Sequence, residues 1–253
     1  YEIEGGTTNH DFTTLNGVTS VVVATNFGAN NNLIDLAANN GIVISGKNQT
    51  TGNASNANQT FGKIDVQGAE GATLAVKLDN TARISGKLTV DELNVTDFSA
   101  TNQSAVRTLN IESAGRRDTT NQIDSIGAER VGTFNFTGTQ ALTATINGAA
   151  NSSGAPANVT NLVANGGALA AKLDLTIDSA IVTTVDGTNH SAAFTGTAGA
   201  TDVLTFDGAI VATGRTSVTG FETIRFDQVE GSDFDASGVI GATAYEFLET
   251  AHN

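Results

Sequence analysis

Val106-Arg107-Thr108-Leu109-Asn110-Ile111 and Val131-Gly132-Thr133-Phe134-Asn135-Phe136 follow one six-residue pattern: apolar, two others, apolar, one other, apolar. The pattern returns at Val18-Thr19-Ser20-Val21-Val22-Val23, Phe61-Gly62-Lys63-Ile64-Asp65-Val66, Val90-Asp91-Glu92-Leu93-Asn94-Val95 and Phe221-Glu222-Thr223-Ile224-Arg225-Phe226. A weaker copy is Val159-Thr160-Asn161-Leu162-Val163-Ala164. The last two apolar positions sit two apart, so they share one face of a strand. The residue between them is usually Asp, Asn or Arg, which suits solvent. Each copy is read as one strand.

Successive copies are separated by about 16 to 30 residues, with two longer gaps wide enough for a further degenerate turn. The gaps hold additional strand-like runs at Leu33–Ala37, Ile42–Ser45, Thr73–Leu78, Leu142–Ile146, Leu173–Ile177 and Val203–Phe206. Polar clusters such as Gly28-Ala29-Asn30-Asn31-Asn32, Asn165-Gly166-Gly167 and Gly196-Thr197-Ala198-Gly199 part them. Short strands with polar corners, each burying its apolar face on a neighbouring copy, predict an all-β, parallel, right-handed β-helix or β-solenoid. Two or three strands per coil are expected. The rival fold is a set of β-sandwich domains, which would show regular antiparallel hairpins and often a core Trp. Leucine-rich repeats share the apolar spacing but need a following Asn, which only Asn26 supplies, and a helical return.

The domain expectation is one solenoid over 1–253, with a weak seam near 148–158 around Pro156, the one proline. The polar stretch Ser45–Thr60 is read as a projecting loop.

Composition narrows the function. Hydrophobic residues, Ala among them, make up 39% and charged ones 15%, with Thr, Asn, Gly and Ser filling most of the remainder, as short strands and many turns require. With no cysteine, disulfides, thiolate zinc sites and cysteine nucleophiles are all excluded. A net charge of −14 speaks against nucleic acid and anionic lipid as partners. No apolar run approaches the roughly 20 residues of a membrane span, so no membrane insertion is expected.

Catalytic patterns are sparse. The histidines are His10, His190 and His252, and none accompanies a nucleophile elbow. The close carboxylate pairs Asp91/Glu92, Asp174/Asp178 and Asp233/Asp235 raise glycan cleavage. No tryptophan and only two tyrosines are present to form sugar platforms. No enzyme is expected. The Asn-x-Ser/Thr sequons, such as Asn48-Gln49-Thr50 and Asn94-Val95-Thr96, are no more than this Asn and Thr content yields by chance.

Calcium suits the carboxylates better, because it takes hard oxygen ligands from Asp, Asn and turn carbonyls. The densest supply is C-terminal: Asp186, Asp202, Asp207, Asp227, Asp233 and Asp235 are the candidate metal ligands. Corner Asp residues on adjacent coils stack about 4.8 Å apart and repel unless a cation bridges them. The competing reading makes them solvated turn initiators. Both stand open on the sequence.

Gly196-Thr197-Ala198-Gly199-Ala200-Thr201-Asp202-Val203-Leu204-Thr205-Phe206-Asp207-Gly208, followed by Val218-Thr219-Gly220-Phe221-Glu222-Thr223-Ile224-Arg225-Phe226, resembles Gram-negative surface-layer proteins and their relatives exported by type I secretion. Those proteins carry repeats-in-toxin-like calcium turns. Asp233-Phe234-Asp235-Ala236-Ser237-Gly238 resembles their next coil. The likeness covers 196–240 and is compositional elsewhere. It implies an extracellular, cell-surface lattice domain whose folding and assembly use calcium, with Asp202 and Asp207 matching the acidic turn positions. The strict calcium nonapeptide is broken here, with Ala198 at a usual glycine and Ala200 before Thr201.

The expected function is a structural subunit of a bacterial surface layer or fibre. Its partner is a second copy of itself, with cell-surface polysaccharide as a further partner. A short end strand such as Tyr1-Glu2-Ile3-Glu4 would join copies by strand addition. The alternative is the passenger or stalk of a secreted adhesin that binds a host or glycan ligand through loops 46–60 and 147–158.

Overall fold

A computed structural model describes residues 2–3, 10–11, 19–24, 32–36, 41–46, 58–68, 73–82, 85–95, 106–128, 131–147, 161–178, 191–199, 201–208, 211–212, 216–227, 233–234 and 236–248. Its strands fall into two long sheets that the chain visits almost alternately. The first contains β1 (Glu2–Ile3), β3 (Ser20–Val23), β5 (Gly41–Ser45), β7 (Thr73–Asn80), β9 (Thr108–Gly115), β11 (Thr133–Gly138), β13 (Asn161–Leu169), β15 (Ser191–Thr195), β18 (Thr216–Thr219) and β21 (Val239–Ile240). The second contains β2 (His10–Asp11), β4 (Asn32–Leu36), β6 (Gln59–Gly68), β8 (Ser85–Val95), β10 (Asp118–Ala128), β12 (Leu142–Asn147), β14 (Leu173–Asp178), β16 (Val203–Asp207), β19 (Thr223–Asp227) and β22 (Ala244–Leu248). Every pairing in both sheets is parallel, each strand lying between its counterparts one coil before and one coil after.

This is the β-solenoid expected from the sequence, and the antiparallel hairpins of a sandwich do not occur among the described residues. Two strands per coil are the rule. Among the described residues a third appears only where β17 (Val211–Ala212) pairs with β20 (Asp233–Phe234).

Two expectations about the repeat need correction. The six-residue pattern is not a once-per-coil marker, since its copies lie on both sheets: β9 and β11 in the first, β6, β8 and β19 in the second. An inward–outward–inward run records burial on one face, which strands of either sheet share. Coil length also runs beyond the expected span. Thr223 pairs with Val203, 20 residues earlier, but Thr108 pairs with Thr73, 35 residues earlier. Corner loops absorb the difference at small entropic cost.

The strands form because their apolar residues alternate. β12 and β15 bury every second side chain, and in β12 Leu142, Ala144 and Ile146 are inward. Inward residues of both sheets merge into one core cluster running from Val21 to Phe226. Each fully buried Leu, Ile or Phe contributes about 1.5–3 kcal/mol. Within the core, columns run perpendicular to the strands. Phe206 stacks on Phe226 at 5.8 Å, Phe226 stacks on Phe247 at 5.2 Å, and Phe194 meets Phe206 edge-on at 5.7 Å. Among the described residues no helix is long and apolar enough to cross a membrane. The seam near 148–158 and most of both adhesin loops lie outside the described residues.

Candidate functional site

The corner from Gly196 to Asp202 joins β15 to β16, and its acid faces inward. Asp202 is fully buried. Its Oδ1 accepts the Leu173 N–H at 2.9 Å, and its Oδ2 accepts the Thr197 N–H. One carboxylate thus ties its own turn to the start of β14 on the previous coil. Glu222 repeats the arrangement one coil on, where its Oε2 accepts the Asp202 N–H at 2.7 Å. The Asp202 carbonyl in turn accepts the N–H groups of Glu222 and Thr223, at 3.2 and 3.1 Å. Thr201 reaches a φ of 75° to complete the turn, a conformation uncommon outside glycine. The acidic residue of this glycine-containing corner therefore serves the main chain.

Asp207 stands at the opposite end of β16, in a different environment. It pairs in register with Asp178 on β14 and with Asp227 on β19, so three carboxylates form an outward column at the strand ends. Burial, followed by the charges of Asp227 and Asp178, holds the Asp207 carboxyl above its ordinary value. Asp227 Oδ1 is buried and accepts no hydrogen bond among the described residues. The column is a one-sided ladder rather than a cage. Among the described residues no group of three or more His, Cys, Asp or Glu side chains is placed to hold a metal ion.

Of the six candidate ligands, the structure brings Asp207 and Asp227 together and keeps Asp202 apart. Asp233 lies in β20, opposite Val211. Asp186 and Asp235 lie outside the described residues. Asp178, placed by sequence in a possible catalytic pair with Asp174, is instead the third member of the ladder. Its signal was the shared ending Ile177-Asp178, Phe206-Asp207, Phe226-Asp227. Asp174 pairs with Lys172 at 3.1 Å. Of the histidines only His10 is described, in β2.

The last coil presents the second notable surface. β22 continues the inward columns, with Tyr245 on Ile224 and Phe247 on Phe226. Ile224 is fully buried, yet Tyr245 is 45% and Phe247 64% exposed. Ile240 and Leu248 join them, and these four are all of the exposed large hydrophobics among the described residues. Among the described residues β21 pairs only with β18 and β22 only with β19 within the two sheets, so each has an edge that no described strand covers. Sequence reading missed this surface, because Tyr245-Glu246-Phe247 has the same alternation as the buried strands.

No family model, curated protein or solved structure matches the chain.

Proposed function

We propose that this chain is a non-enzymatic structural subunit of a bacterial extracellular surface layer or fibre, whose copies join end to end with calcium assisting. One observation carries the proposal. Among the described residues the exposed large hydrophobics gather on one coil, on strands that have an edge no described strand covers. A soluble chain normally blunts such edges and disperses such residues, so their coincidence supports an interaction surface. A second copy supplying a coil there would continue both parallel sheets and cover Tyr245 and Phe247 as β19 covers Phe206.

Calcium's part rests on the ladder of Asp178, Asp207 and Asp227. Stacked carboxylates oppose stacking, and a divalent cation relieves them by bridging or screening. On a chain of net charge −14, the same cation also lowers repulsion between copies. Cell-surface polysaccharide is the proposed anchoring partner.

The test is negative-stain microscopy and sedimentation of the purified chain in millimolar calcium, then in excess chelator. Filaments or sheets that dissolve on chelation are expected. A chain that stays monomeric at high concentration in calcium refutes the proposal.

A further inference from the structure

On the outward face of the second sheet, β6 and β8 gather four polar side chains. Lys63 stands opposite Glu92, and Asp65 opposite Asn94. Lys63 Nζ lies 3.2 Å from Glu92 Oε1 and 3.5 Å from Asp65 Oδ1. Asn94 Nδ2 donates to the same two oxygens, at 2.7 Å to Glu92 and 2.9 Å to Asp65. The lysine amine and the asparagine amide are therefore one carboxylate oxygen apart, twice over. Asp65 is 3% and Asn94 7% exposed, while the Lys63 side chain is 31% exposed.

The next coil fixes the amide's direction. A Cβ built on Gly127 would sit 2.2 Å from Asn94 Oδ1, so only glycine lets the amide oxygen pack against that backbone. The amide nitrogen is thereby held on the side of the two carboxylates and the lysine.

A lysine amine, a side-chain amide and a carboxylate in contact with the nitrogens of both are the parts of an intramolecular transamidation. Fixed proximity replaces the encounter such a reaction would otherwise need. We propose that Lys63 and Asn94 form an isopeptide bond that covalently joins β6 to β8. Glu92 accepts a proton from the Lys63 ammonium, and the freed lone pair attacks Cγ of Asn94. A new C–N bond forms to Nζ, the bond from Cγ to Nδ2 breaks, and Glu92 returns its proton to the departing nitrogen. Two lysine protons and the amide NH2 leave as ammonium, so nothing is oxidised and no cofactor is required. Asp65 holds the amide in place. In a chain with no cysteine, this closes the loop between residues 63 and 94 as a disulfide would.

Intact-mass spectrometry of the purified full chain, followed by peptide mapping, tests the assignment. The expected mass is about 17 Da below that of the sequence, the ammonia lost on aminolysis of the amide. Fragmentation should find a branched peptide linking Lys63 to Asn94. Lys63→Arg, which keeps the charge, and Glu92→Gln should both restore the full mass. A parent chain at full mass, with linear peptides carrying free Lys63 and Asn94, overturns the proposal. So does a mass loss that persists in Lys63→Arg, which would mark a succinimide at Asn94. A link from Lys63 to Asp65 or Glu92, with loss of water, also overturns it.

Discussion

Replacing Asp202 separates two roles that an acidic turn residue can have. The carboxylate is fully buried and accepts two main-chain N–H groups, one in its own corner and one at the head of β14. A hydrogen bond to a charged group contributes about 1.5–3 kcal/mol, and a buried N–H left without an acceptor costs a similar amount. Asp202→Ala removes both bonds at once, so the expected loss is about 3–5 kcal/mol. Asp202→Asn keeps one acceptor oxygen but turns an NH2 towards the other N–H, and about half that loss is expected.

The assay is denaturant unfolding in chelator, backed by hydrogen exchange at the Leu173 and Thr197 amides. Exchange is needed because a stack of coils opens in segments, so one global transition can hide a local loss. Both amides should lose protection in Asp202→Ala while those of β10 keep theirs. A loss under about 1 kcal/mol in chelator would refute the structural account. A loss appearing only with calcium would do the same, and would make Asp202 a calcium ligand.

Three further outcomes follow from the same geometry. The folded chain holds the Asp207 proton more tightly than the unfolded chain, so its carboxylate costs stability as pH rises from the ordinary value of 3.8 through the raised folded one. Asp207→Asn should therefore melt higher than the parent at neutral pH in chelator, with the advantage vanishing in acid; a lower melting point at neutral pH contradicts this. Gly196→Ala would put a Cβ 2.1 Å from the Gly220 carbonyl oxygen and should cost about 1–3 kcal/mol. Gly199→Ala, with nothing within 4 Å, should stay within about 0.5 kcal/mol in the same denaturation series. Phe226→Ala, buried between two rings, should cost about 3–5 kcal/mol. Phe247→Ala, 64% exposed, should cost under about 1 kcal/mol in the monomer yet abolish sedimenting assemblies.

The strands were legible because alternation reports burial directly: Leu142, Ala144 and Ile146 are inward as their spacing requires. The coil was less so. Val90–Val95 and Val106–Ile111 look equivalent in sequence, yet lie on opposite sheets, because an apolar triplet says which way a strand faces and not what it faces. The pairing of Asp207 with Asp227 could be read from the repeated Phe-Asp ending. The inward turn of Asp202 could not, since a carboxylate at a glycine-rich corner can point to solvent or fold back on main-chain N–H groups. Tyr245 and Phe247 were illegible for another reason. Their pattern is that of core residues, and they are exposed because no described strand covers them.

The polar contacts share that one-coil reach. Asp202 bonds to Leu173, Glu222 to Asp202, Lys77 to Glu112 and Arg225 to Glu246, each crossing to an adjacent coil. The phenylalanine column is likewise built of neighbours, and among the described residues Phe247 stacks on Phe226 alone. Stability in such a stack is close to a sum over adjacent pairs, so an interior coil draws on two interfaces and the last coil on one. Under the proposed assembly, a second copy docked on β21 and β22 would add an interface to that coil and raise its local stability by mass action. The Arg225–Glu246 pair, at 2.9 Å on the outward face, ties β22 to β19 in the register of the two strands.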